Sequence, residues 1–156
     1  MKASLRLGLV AMGMSAAIPA YAVTGTVDFT ANILPSCAIL LTTPGVLDLS
    51  ADGRVLSTLE GRGVAASATL LATGANFKFN MTTPTAFIEA PAASRSDVTF
   101  ESRYSASGVT LAVDVTAGTA TTLSIGTSIL SMQLTARRPA GFSAGPYLAR
   151  STITCE

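Results

Sequence analysis

Alternation is the dominant rhythm of the chain. Residues 23–33 read VTGTVDFTANI, with Val23, Gly25, Val27, Phe29, Ala31 and Ile33 on one side and Thr24, Thr26, Asp28, Thr30 and Asn32 on the other. A period of two is what an extended strand with one buried face requires. Pro35 and Ser36 stop that run, and a short apolar strand follows over residues 37–41 until Pro44-Gly45. Residues 46–49 make the next strand, closed by the turn signal Ala51-Asp52-Gly53. Residues 55–59 read as a strand or a single helical turn. Ala and Leu in residues 64–71 favour a helix, but glycine-rich flanks and a good extended pattern select a strand. Phe77 and Phe79 then alternate with Lys78 and Asn80.

The second half keeps the habit. Val98, Phe100 and Ser102 oppose Thr99, Glu101 and Arg103, and Leu111, Val113 and Val115 oppose Thr110, Ala112 and Asp114. Residues 121–125 and 129–136 are two further strands. The close alternates Tyr147, Ala149, Ser151, Ile153 and Cys155 against Leu148, Arg150, Thr152 and Thr154. No segment holds a 3.6-residue pattern over ten positions. Short strands at roughly ten-residue spacing, separated by Gly or Pro, predict an all-β chain folded as a β-sandwich. Residues 90–96 and 139–146 read as loops within that domain.

The first segment breaks the rhythm. Lys2 and Arg6 precede a small apolar stretch from Leu7 to Ile18, and Pro19 leads into Ala20-Tyr21-Ala22. That is the form of a cleaved signal peptide, too short to span a bilayer. The expected organisation is a signal peptide over residues 1–22, an N-terminal extension over 23–36 and a sandwich domain over 37–156. The expected destination is export.

Export changes the meaning of Cys37 and Cys155, the two cysteines of the chain. An oxidising compartment favours a disulfide between them. A reactive thiol is the competing reading, but it lacks a neighbouring His or Lys to lower its pKa. The bond predicts that the strand starting near Cys37 lies beside the last strand.

Composition then removes most chemistry. The 156 residues contain no His and no Trp, so there is no Ser-His-Asp triad, Cys-His pair or His-ligated metal. A formal net charge of +1 offers no general attraction to nucleic acid. The sparse carboxylates suggest no facing catalytic pair. Asp48 and Asp52-Gly53 lack the spacing of a calcium loop and read as a solvated turn. Asn80-Met81-Thr82 fits a glycosylation sequon by chance, and Arg137-Arg138 reads as a solvated strand end. The expectation is no enzyme and no cofactor.

The segment GTVDFTANILPSCAI, residues 25–39, resembles the start of mature major fimbrial subunits of the chaperone–usher class. The matching residues are Gly25, Thr26, Val27, Phe29, Ile33, Cys37 and Ile39. The tail LSMQLTARRPAGFSAGPYLARSTITCE loosely resembles the family's closing pair of strands. The chain departs from the family in carrying its second cysteine at Cys155, and in lacking a penultimate Tyr. The resemblance implies an incomplete immunoglobulin-like sandwich whose missing strand is donated by the next subunit. The donor residues would be Val23, Gly25, Val27, Phe29, Ala31 and Ile33. The groove-edge strand would carry Tyr147, Ala149, Ser151 and Ile153. Implied partners are other copies or related pilus subunits, a periplasmic chaperone and an outer-membrane usher, with an extracellular adhesive fimbria as the product. Secreted proteins of the spore-coat-U type are a second resemblance, implying a self-contained surface or ligand-binding sandwich. The first reading predicts that residues 23–33 stay detached in the monomer. The second predicts that they pair within their own sheet.

Overall fold

The structure, a computed structural model, describes residues 24–156, apart from the side chains of Leu41 and Thr42. The signal-peptide segment and Val23 lie outside the described residues. The chain divides into two units, Met1–Ala31 and Asn32–Glu156. In the first, residues 24–31 adopt no strand and their side chains are exposed. The strand expected over residues 23–33 is therefore absent from its described part. A period-two pattern supplies one face to bury, but a strand also needs a neighbour to complete its ladder.

In the second unit ten strands form two antiparallel sheets among the described residues: β1 (Cys37–Thr43), β2 (Asp48–Leu49), β3 (Val55–Ser57), β4 (Ala66–Ala72), β5 (Lys78–Met81), β6 (Thr99–Gly108), β7 (Ala112–Thr116), β8 (Thr121–Thr122), β9 (Gly126–Arg137) and β10 (Ile153–Cys155). The first sheet is built around β9. One edge of β9 pairs with β4 and then with β3, while the other pairs with β6 over nearly its whole length. From there β1 adds to β4, β2 to β3 and β7 to β6. The second sheet has the order β10-β5-β8. The expected strand at residues 64–71 is β4, and residues 55–59 supply the strand β3 rather than a helical turn.

The core follows from the alternation. Ala68, Leu70 and Ala72 of β4, Leu130 and Met132 of β9, and Tyr104 and Ala106 of β6 face inward from the first sheet. Phe79 and Met81 of β5 meet them from the second. Phe79 and Tyr104 pack edge to face with centroids 4.9 Å apart, an arrangement the ring quadrupoles favour. Two sheets sharing one core is the arrangement of a β-sandwich.

One face assignment is corrected. The alternation puts Leu111, Val113 and Val115 together, yet Leu111 is 79% and Val113 is 85% exposed. Ala112 and Val115 face the core instead. The register explains it: Tyr104 pairs with Val115 and Ala106 with Ala112, so Val113 and Asp114 together oppose Ser105. That is a β-bulge. Asp114 takes φ 51° within it, which switches the side of the strand.

Candidate functional site

The two sheets meet at one edge and part at the other end of the same seam. At the meeting point Cys37 of β1 is bonded to Cys155 of β10, with Cα atoms 6.2 Å apart. The expected disulfide is present, and it joins the edge strands of different sheets. Among the described residues β1 pairs with β4 on one side only, and β10 with β5 on one side only. Each therefore presents an outer main-chain edge without a strand partner.

At the end of β1 away from the disulfide the chain leaves the sheet. Its register slips between Leu41 and Thr43, and Pro44 cannot donate to a ladder. The chain returns through a single bridge in which Val46 and Val64 exchange amide–carbonyl bonds of 2.8 Å. Asp48 anchors the next stretch: its carboxylate accepts from the Arg62 amide at 2.6 Å and the Leu49 amide at 3.0 Å. Those hydrogen bonds, Arg62 first, hold the Asp48 carboxyl below its ordinary range, and burial opposes them only in part. A Cβ at Gly61 would lie 2.6 Å from Asp48 Oδ2, and Gly61 has φ +30°, so glycine is what lets the 60–62 turn close on that carboxylate.

The facing wall is the C-terminal segment. It starts where Phe142 donates its amide to Gly53 O at 2.8 Å and Ser143 donates its amide to Ser94 Oγ at 2.9 Å. Arg138 holds this turn through its side chain, donating to the Ser96 and Gly141 carbonyls. It is thus a bracing residue, not the solvated strand end expected of Arg137-Arg138. Phe87, Phe100, Phe142 and Tyr147 form an edge-to-face cluster behind the turn, with centroids 4.8–6.1 Å apart. Leu148 then bridges Glu89, and Thr152 O accepts from the Thr82 amide at 2.8 Å.

Between these walls lies an open cleft of about 840 Å³. Its floor is Leu56, Ala66, Met81 and Met132; one wall carries Val46, Leu47 and Leu49, and the other Phe142 and Ile153. Tyr147, Ala149, Ser151 and Ile153, the residues assigned to the groove-edge strand, all line it. They are half-buried, while Leu148, Arg150, Thr152 and Thr154 between them are exposed, as the alternation of the closing segment predicts. Regular pairing in this segment is limited to β10 and the Leu148 bridge.

The described residues assigned to a donor strand form no strand and are exposed. Val27 is 75%, Phe29 93% and Ile33 74% exposed. No atom lies within 4 Å of a Cβ built on Gly25, and Ala31 is exposed. Val23 lies outside the described residues. The sequence reading missed the wall at residues 43–49 and the contribution of residues 142–145 to the other wall. Pro44-Gly45 was the available signal for the first, since it marks where an edge strand must leave its ladder.

Among the described residues no group of three or more His, Cys, Asp or Glu side chains converges to hold a metal ion. Asp52 accepts from Ser50 Oγ at 2.6 Å and from the Arg54 amide at 3.1 Å, the bonding of a closed turn. What the site offers is largely apolar surface reached by the ends of two strands that each pair on one side only among the described residues, at Thr43 of β1 and Ile153 of β10. Comparison with protein-family models, curated proteins and solved structures finds no match to the chain.

Proposed function

We propose that the chain is the structural subunit of an extracellular fibre, in which the N-terminal segment of one copy lies as an added strand in the cleft of the next. The observation that carries this reading is one of complementarity. An open, largely apolar cleft, reached by the ends of two strands that pair on one side only among the described residues, occurs in a chain whose exposed, apolar-alternating segment at residues 24–33 has no strand partner. An unpaired edge beside apolar surface is an aggregation hazard for a lone molecule, and an extended peptide that adds a strand removes it. Gly25, Val27, Phe29 and Ala31 would then turn toward Met81 and Met132, with Val23 extending the same face. Donor and cleft are different surfaces, so the contact repeats head to tail into an open filament and not a closed dimer. The sandwich would be of immunoglobulin type, completed only in the assembly. A periplasmic chaperone would cover the cleft before assembly, and an outer-membrane usher would pass subunits outward. The role is mechanical and adhesive, without catalysis.

The cleft volume also falls in the range that holds a small apolar ligand, which keeps a self-contained secreted sandwich as the second reading. The exported chain, run unheated and boiled on a denaturing gel beside a variant lacking residues 23–33, separates the two. Fibre assembly gives a ladder that survives detergent cold, collapses on boiling and vanishes with the deletion. A single monomer band in every lane, with the deletion unfolding the protein, overturns it in favour of the self-contained form.

A further inference from the structure

A subunit that carries both a donor and an acceptor faces a competition inside its own chain. A tethered segment has an effective concentration of roughly millimolar toward its own acceptor, about a thousandfold above micromolar chains in solution, unless geometry forbids the contact. Length does not forbid it. Ten extended residues, 24–33, reach about 33 Å, whereas β1 from Cys37 to Thr43 spans only about 20 Å. Direction is the remaining obstacle, and it is decided where the chain leaves β1, at residues 34–36.

Residues 34–36 continue the line of β1 past the end of β4. Cys37 pairs with Ala72, and one step further the Thr73 amide donates to Ser36 O at 2.9 Å. The Thr73 hydroxyl accepts from the Ser36 amide at 2.8 Å, lies 2.9 Å from Ser36 Oγ and donates to Leu34 O at 3.2 Å. One side chain thus ties both flanks of Pro35. The ring of Pro35 sits over Gly74, where a Cβ would come to 2.6 Å from Pro35 Cβ. The cleft starts at the other end of β1, with Thr43. To enter its own cleft the extension would have to reverse at residues 34–36, where Thr73 and Gly74 hold it straight.

We propose that Thr73 and Gly74 act as a direction clamp, positioning residues that send the N-terminal extension away from its own cleft and so reserve that cleft for a second copy of the chain. The inference rests on the assembly reading above. It is tested with the full exported chain at micromolar concentration. The readouts are the cold detergent-resistant ladder and uptake of a fluorescent peptide of residues 23–34 by the monomer fraction. Replacing the clamped dipeptide by the strongest two-residue hairpin signal, Pro35→Asn with Ser36→Gly, should cut the ladder roughly tenfold or more, in line with the effective-concentration advantage. The monomer that accumulates should refuse the peptide, because its cleft is filled from within. Thr73→Val should move both readouts the same way, and Thr73→Ser, which keeps the hydroxyl, should restore the ladder. Should Thr73→Val fail to fold, the Asn-Gly variant decides, since Pro35 and Ser36 are exposed. A ladder unchanged in the Asn-Gly variant, or a lost ladder whose monomer still takes the peptide, overturns the clamp alone. A wild-type chain showing neither ladder nor peptide uptake overturns the assembly reading and the clamp with it.

Discussion

Single residues set the stability of the core and the pH range over which one cleft wall holds. Tyr104 is fully buried, and its hydroxyl donates to Thr119 O and meets Thr121 Oγ1, both at 2.7 Å. Tyr104→Phe keeps the packing against Phe79 and removes both bonds, so urea unfolding should show a loss of about 1–3 kcal/mol, the net worth of two such bonds. Asp48 acts through charge. Its folded-state pKa is depressed by the Arg62 and Leu49 amides, so its contribution is complete above the unfolded carboxylate value of about 3.9. It disappears as pH falls through the lower folded value. Urea midpoints measured down a pH series should therefore decline more steeply in acid for the native chain than for Asp48→Asn, with the two converging at the lowest pH. A constant gap at all pH values would remove Asp48 as the acid-sensitive anchor.

At the scale of elements, strands supported on both sides were the legible ones. β4 and β9 pair along both edges, and their inward residues, from Ala68 to Ala72 and from Ser128 to Ala136, keep the period that the sequence displays. The closing segment was legible too, since Tyr147, Ala149, Ser151 and Ile153 are half-buried and alternate with exposed residues, although Leu148 and Arg150 also line the cleft. β7 was misread because the bulge at Asp114 inserts one extra residue against β6, and a strict period of two cannot show an insertion. The wall at residues 43–49 was illegible for a related reason. Pro44-Gly45 announces a break, but where the freed edge goes depends on Val64 and Arg62, which are distant in sequence. The Cys37–Cys155 bond lies between these classes: the compartment argument found the pair, while only the fold shows that it ties two sheet edges. Its loop spans 118 residues, for which loop-closure entropy gives at most about 4–5 kcal/mol. The double variant Cys37→Ser with Cys155→Ser should lose a substantial part of that in urea unfolding. A loss below about 1 kcal/mol would mean that the edges hold together without it.

For the whole molecule, the position of that bond has a mechanical meaning. In a fibre of the proposed kind, tension enters a subunit through residues 34–36 and reaches Cys37 first. It leaves through the copy bound in the cleft, along the wall that runs into Cys155. The sulfur bridge places entry and exit one covalent link apart, so a pull between them is carried by bonded atoms and bypasses the hydrogen-bonded ladders of the intervening strands. The sandwich hangs beside the load path instead of in it. A subunit stapled in this way can bear tension without its core being drawn out, and the weak point of the filament moves from the fold of each subunit to the seat of the added strand.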